Sequence, residues 1–314
     1  MTTRRTPVLL AALGLSVTLF VSACGSDGGG DDGDGGQSAT PSAGGGTSAP
    51  APAPSGSAPA SPSGSPSGSP APSPSASASA SGQYWHPTPG EAWQWQLSGT
   101  VDQSVDVPVY DIDGFENDAS VVASLHAKGR KVICYINAGS WEDFRPDAPA
   151  FPQSVRGDGD GWKGEKWFDI RQINVLEPLM AQRMDMCKAK GFDAVEPDLL
   201  DGYENDTGFP LTADEQLTYN KMIANLAHQR GLGVALKNDV DQVAQLVDYF
   251  DFSIDEQCAE YQECDELTPF IKQGKAVLHV EYNVPNSQYC AQSDQLGFSS
   301  MEKHLSLDAW RQPC

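Results

Sequence analysis

From Gly25 to Gly82 the chain carries no aromatic residue and no Leu, Ile, Val or Met. A stretch so poor in apolar side chains cannot bury enough surface to offset the entropy of ordering it. Whatever folds must therefore lie after it, from Tyr84 to Cys314. The reading is a linker over 24–83, Gly- and Asp-rich and flexible at first, then stiffened by Ser-Pro and Ala-Pro steps that favour polyproline II. About 60 such residues span roughly 40–45 Å, and more where proline dominates.

Ahead of the linker stand Arg4 and Arg5, an apolar run from Val8 to Val21, and then Ser22, Ala23 and Cys24. A basic start, a short apolar core and small residues before a cut predict a signal peptide over 1–23. The run of about 14 residues is shorter than the roughly 20 that span a bilayer as a helix. Val21-Ser22-Ala23-Cys24 resembles the lipobox of bacterial lipoproteins, which implies a lipid on Cys24 and a folded domain held on the extracytoplasmic side of the membrane.

The remaining residues, about 230 of them, suit a single α/β barrel. Their cysteines, Cys134, Cys187, Cys258, Cys264, Cys290 and Cys314, are even in number, which in an exported protein points to disulfides. The preferred pairs are Cys258 with Cys264, Cys290 with Cys314, and Cys134 with Cys187. The 5 histidines are scattered and no CxxC pair exists, so neither a zinc site nor any other cofactor is expected. A formal charge of −22 disfavours nucleic acid and favours a cationic partner. A monomer is expected.

Short β-like runs alternate with amphipathic stretches, the pattern of βα units around a parallel sheet. The candidate strands are Trp93–Leu97, Val107–Asp113, Lys131–Asn137, Ala194–Asp198, Gly233–Asp239, Phe250–Glu256, Ala276–Tyr282 and Ser300–Leu307. Between them, Thr212 and Glu215 form a capping box and Gly231 ends that helix. Asp118 opens another that Gly129 closes. Leu176, Met180, Met184 and Cys187 share one helical face. Eight strand–helix units predict a (β/α)8 barrel of the TIM type, and no GxGxxG or P-loop follows any strand.

The C-terminal ends of barrel strands carry the chemistry. Here they read Asp111 and Asp113; Tyr135 and Asn137, followed by Trp141 and Glu142; Glu196 and Asp198, followed by Asp201 and Tyr203; Lys237 and Asp239; Asp255 and Glu256; Glu281 and Tyr282. Carboxylates supply acid, base or nucleophile, and aromatic faces stack on sugars. Tyr135, Trp141, Tyr203 and Tyr282 are candidate sugar platforms. Asp111 and Asp113 as a Mg²⁺ or Ca²⁺ pair rank lower, because an isolated DxD is weak evidence for a metal. On the seventh strand His279 shares a face with Glu281, which points it into the barrel as a hydrogen-bonded core histidine. Cys134 lies opposite Tyr135 and Asn137, toward the helices and Cys187.

The runs Trp93–Leu97, Tyr110–Phe115, Val132–Glu142, Trp167–Arg171, Gly191–Asp198, Leu236–Asp239 and Glu256–Cys258 resemble glycoside hydrolase family 114, in order and across essentially all of Trp93–Asn283. The resemblance implies a barrel endo-α-1,4-polygalactosaminidase, with Asp198 as nucleophile and Glu256 as acid/base. Asp111, Asp113, Tyr135, Asn137, Trp141, Glu196, Tyr203, Lys237, Asp239, Glu281 and Tyr282 are the candidate substrate contacts. Leu199-Leu200 departs from the polar residue expected after Pro197-Asp198 and puts one subsite contact in question. Simple alternation along the sixth strand sends Phe252 and Ile254 toward the helices and Asp255 into the barrel. Glu256 then faces the site only if the strand ends or bulges there, and Asp255 is its alternative. Other readings are a carbohydrate-binding lipoprotein without turnover and a barrel hydrolase of another α-glycan.

Overall fold

The computed structural model describes residues 84–314. Signal peptide, Cys24 and linker lie outside the described residues. Every predicted strand is present, the last ending at Glu302 rather than Leu307: β1 (Trp93–Gln96), β2 (Val109–Asp113) and β3 (Lys131–Asn137), then β6 (Ala194–Asp198), β7 (Gly233–Lys237), β8 (Phe252–Glu256), β9 (Val277–Glu281) and β10 (Ser299–Glu302). They pair in parallel in the order β1-β2-β3-β6-β7-β8-β9-β10, and a short antiparallel β11 (Gln312–Pro313) follows β10. Among the described residues no backbone ladder joins β10 to β1. That seam is bridged instead by Trp93 Nε1 donating to the Ser299 carbonyl at 2.9 Å, and by the Leu97 and Ser98 amides donating to the Leu307 carbonyl. A hairpin of β4 (Ser140–Glu142) and β5 (Glu165–Trp167) stands outside the barrel ladder.

Helices cover the sheet: α1 (Ala119–Ala127), α2 (Ile173–Lys190), α3 (Ala213–Gln229), the short α4 (Val243–Leu246), α5 (Cys258–Tyr261) and α6 (Thr268–Lys272), and α7 (Asn286–Leu296). The capping box of α3 is formed, with Thr212 N–H donating to Glu215 at 2.9 Å and the Glu215 amide to Thr212 Oγ1 at 3.3 Å. Asp118 opens α1 by its extended backbone, without a side-chain cap. The expectation of eight helical crossovers is corrected, because β1 runs to β2 through an irregular loop and no helix follows β10. Buried Gln96 fixes that loop: its Nε2 donates to the Ser98 and Thr100 carbonyls and its Oε1 accepts from the Asp102 amide. A side chain thereby meets the backbone groups that a helix would have paired.

Alternation along the strands divides the core in two. One cluster fills the barrel with Trp93, Trp95, Val109, Ile133, Ala194, Ala235, Phe252, Ile254, Leu278, Val280 and Met301. The other lies between sheet and helices, with Tyr110, Cys134, Met180, Met184, Cys187 and Ile223 among its members. Cys134 and Cys187 are joined there across β3 and α2; Cys258–Cys264 and Cys290–Cys314 are the other disulfides. All three expected pairs are present. His279 corrects an expectation: it faces the helices, edge-on to Tyr289 and Phe298, with Ser300 Oγ and Glu281 Oε1 each at 2.9 Å.

The exits of β3 and β6 touch. Gly139 donates its amide to the Asp198 carbonyl at 3.0 Å, and a Cβ on Gly139 would meet the Leu199 carbonyl oxygen at 1.8 Å. No side chain fits there without moving the chain that carries Asp198. Gly139→Ala should lower unfolding stability by about 1–3 kcal/mol, as overpacking does. An unchanged denaturation midpoint would contradict this close approach.

Candidate active site

Inward-pointing residues at the strand exits open into a cavity of about 400 Å³. Lys237 lies at its floor, 1% exposed. Its ammonium stands 2.7 Å from Asp198 Oδ1, 2.8 Å from Glu256 Oε2 and 3.4 Å from Glu196 Oε1, and 5.1 Å from the centre of a Trp95 ring. The ladder between β6 and β7 holds for only two residue pairs, and beyond it Lys237 reaches across to Asp198. Burial alone would pull its charge off, but Asp198, Glu256 and Glu196 outweigh that and hold its proton far more tightly than usual.

Asp198 takes three donors. Lys237 and the Leu199 amide, at 2.9 Å, meet Oδ1, and Tyr135 Oη meets Oδ2 at 2.8 Å. The amide reaches back because Leu199 adopts a left-handed backbone, φ 61°. Burial pushes the carboxyl up, yet Lys237 and these hydrogen bonds prevail and hold it below its ordinary range. Glu256 accepts from Tyr282 Oη on its other oxygen. Phe252 and Ile254 belong to the barrel-interior cluster, so alternation carries Glu256 into the cavity and Asp255 to the opposite face. The expected orientation of this strand is thus reversed, since its apolar side fills the barrel below the site rather than packing on helices.

A second ionic network builds one wall. Arg145 Nη1 and Nη2 donate to the two Asp113 oxygens at 3.0 and 2.7 Å, and its Nε donates to Glu142 at 2.7 Å. Arg183 of α2, 1% exposed, joins Glu142, Asp147 and the Asn137 carbonyl. Glu165 of the hairpin also lines the cavity. It accepts from neutral Asn137 Nδ2 and Ser140 Oγ, each at 3.3 Å, and no cation pairs with it among the described residues. Burial, then Asp160, Glu142 and Asp198, push its carboxyl up to about 8. Phe144 and Trp162, 57% and 59% exposed, stand at the rim.

Of the residues expected from the sequence, Asp113, Tyr135, Glu142, Asp198, Lys237, Glu256 and Tyr282 line this cavity. The others do not. Asp111 and Glu196 lie fully buried beneath it. Asn137 shapes the turn before β4 by accepting from the Gly139 and Ser140 amides. Trp141 packs on the core under the Arg156 guanidinium, 4.0 Å away. Tyr203 faces Asp239 and Glu204, and burial with those charges raises its phenol. Glu281 points outward, accepting the Ala259 amide of α5 at 2.8 Å. Asp239 is buried behind the rim and accepts from Asn220 at 2.8 Å. Leu199 lines the cavity, whereas Leu200 fills the helix-side core. Sequence reading missed Trp95, Phe144, Arg145, Trp162 and Glu165. Only Trp95 left a signal, as the second of two tryptophans on one face of β1.

Among the described residues one group of metal-ligand types comes within coordinating reach, Cys258, Cys264 and His279, and its two sulfurs are joined to each other. The cavity offers instead two carboxylates on one ammonium, further acids and open aromatic faces. That set can transfer a proton, supply a nucleophile and stack on a sugar ring.

Burial, then Asp201 and Glu204, raise the Asp239 carboxyl to about 9. Its folded value lies above the unfolded one, so its contribution to stability is complete at acid pH and declines from about pH 4 toward pH 9. Asp239→Asn should therefore raise the melting temperature at pH 8 and leave it nearly unchanged at pH 4. An equal shift at both would contradict the assigned titration.

The glycoside-hydrolase family GH114 profile matches residues 74–314. A crystal structure of Ega3 from Aspergillus fumigatus in complex with galactosamine is 41% identical, covering 74% of this chain and 100% of that one, with a TM-score of 0.69. The glycoside hydrolase domain of PelA from Pseudomonas aeruginosa is 12% identical over 71% of this chain and 98% of that one; its TM-score of 0.55 shows likeness of fold alone. A search of the curated proteins finds no match.

Proposed function

The chain belongs to the glycoside-hydrolase family GH114, and we propose that it cuts internal α-1,4 bonds of a galactosamine-containing polysaccharide with Asp198 as nucleophile and Glu256 as acid/base. The observation that carries the residue roles is Lys237. Bonds of 2.7 and 2.8 Å from one ammonium bring one oxygen of each carboxyl to within about 5.5 Å of the other, which favours the closer spacing of a retaining pair over that of an inverting one. The likeness to Ega3, whose structure holds galactosamine, supports the substrate. A cavity with more acids than bases suits a polymer bearing free amines.

In the first step Asp198 Oδ attacks the anomeric carbon while Glu256 protonates the departing glycosidic oxygen, leaving a glycosyl ester and a shortened chain. Forming the ester removes the Asp198 charge. Glu256, now a carboxylate, then takes a proton from water, which attacks the same carbon and frees Asp198. Tyr135 and Tyr282 are tied to these carboxyls by hydrogen bonds and serve to aim them. Phe144 and Trp162, open at the rim, take the role of sugar platforms.

On polygalactosamine the wild-type chain should release new reducing ends, and Asp198→Asn and Glu256→Gln should each lose about 10²–10⁴-fold in kcat. Near-normal turnover in either variant removes the role given to it. Turnover on another α-glycan with none on polygalactosamine removes the substrate.

The same reading places the enzyme outside the cytoplasmic membrane, tethered by a lipid on Cys24. Three disulfides suit an oxidising compartment. Cys24→Ser in the producing cell should move the protein from the membrane fraction to the soluble one; unchanged membrane association would remove the lipid anchor.

A further inference from the structure

Asp111 lies in β2 one layer below the cavity, wholly buried, and neither of its oxygens meets an N–H or O–H donor. What its carboxyl does reach is the carboxyl of Glu196, near enough for a hydrogen bond between them. Glu196 is equally buried, and burial pushes its carboxyl up to about 7, but unlike Asp111 it faces groups that support a negative charge. Trp95 Nε1 donates to Oε2 at 3.0 Å and the Lys237 ammonium faces Oε1 at 3.4 Å. Two ionised carboxylates cannot share a dry site without a proton between them. That proton belongs on the acid with no other donor.

We propose that Asp111 is a positioning residue: a neutral acid whose O–H is donated to Glu196, so that the pair forms one fixed negative charge beneath Lys237. Its charged and titratable surroundings are Glu196 and Asp198 from β6, Lys237 from β7, Glu256 from β8 and Tyr135 from β3. Burial, then Glu196, hold the Asp111 carboxyl well above its ordinary range, in keeping with that placement. The fixed charge has a consequence above it. A negative Glu196 faces the Lys237 ammonium and adds to the charges that hold this lysine, which in turn bonds Asp198 and Glu256. Without the Asp111 O–H, Glu196 itself takes up a proton, and Lys237 loses one of the charges that hold it.

The kinetic part rests on the proposed roles of Asp198 and Glu256, whereas the location of the proton does not. The experiment has two arms on the full chain. In the first, the pH dependence of kcat/KM on polygalactosamine is compared for wild type, Asp111→Ala, Asp111→Asn and Glu196→Gln. Asp111→Ala and Glu196→Gln should lower kcat/KM and move its basic limb toward acid, because Lys237 with one neighbouring charge fewer gives up its proton sooner. Asp111→Asn, whose amide still donates, should recover at least about tenfold of the alanine loss and restore the limb. In the second arm, the infrared difference spectrum of wild type minus Asp111→Asn at pH 7 should contain the C=O band of a protonated carboxyl. Absence of that band overturns the inference, as does an asparagine variant no better than alanine. If the wild type leaves polygalactosamine uncut, the substrate reading fails and the infrared arm alone decides where the proton lies.

Discussion

One ammonium holds the site together. Lys237 enters the barrel among carboxylates from two other strands, and its hydrogen bonds fix the distance between Asp198 and Glu256. The arrangement is stable only as a set. A buried lysine without these acids would lose its proton, and acids crowded there without the lysine would gain theirs. Trp95 closes the floor from the β1 side, with its ring toward Lys237 and its indole N–H given to Glu196. Charge, hydrogen bonding and barrel geometry thus converge on a single side chain that touches both proposed catalytic groups.

The wall around that centre depends on a second set of ion pairs. Arg145 and Arg183 bind Asp113, Glu142 and Asp147, so the segment after β3 is anchored both to the rim and to α2. Buried pairs of this kind add little net stability against an apolar alternative, but losing one partner is costly. Their value here is register, because they fix where the β4–β5 hairpin presents Glu165 to the cavity.

Much of this was legible in the sequence. Eight strands, their order and the carboxylates at their exits follow from period-two patterning, and the Cys134–Cys187 disulfide from a cysteine on the helix-facing side of β3. Legibility ended where orientation depended on what fills the barrel. The direction of β8 was misjudged because Phe252 and Ile254 resemble a helix-facing stripe, yet this barrel is packed with such side chains below its site. The same ambiguity misdirected His279. Asp239, Glu281 and Tyr203 stand near strand exits, but Asp239 and Glu281 are buried away from the cavity and half-buried Tyr203 faces Asp239. The β4–β5 hairpin is too short for a periodic signal, and Arg145 and Glu165 act only through partners distant in sequence.

The central claim is that Lys237 holds two carboxylates at the spacing of a retaining glycosidase. Proton NMR of the first products from α-1,4-polygalactosamine, recorded before mutarotation, tests it directly. The account predicts new reducing ends that appear first as the α-anomer. Initial formation of the β-anomer would contradict it, because inversion needs a wider pair with a water between the carboxyls.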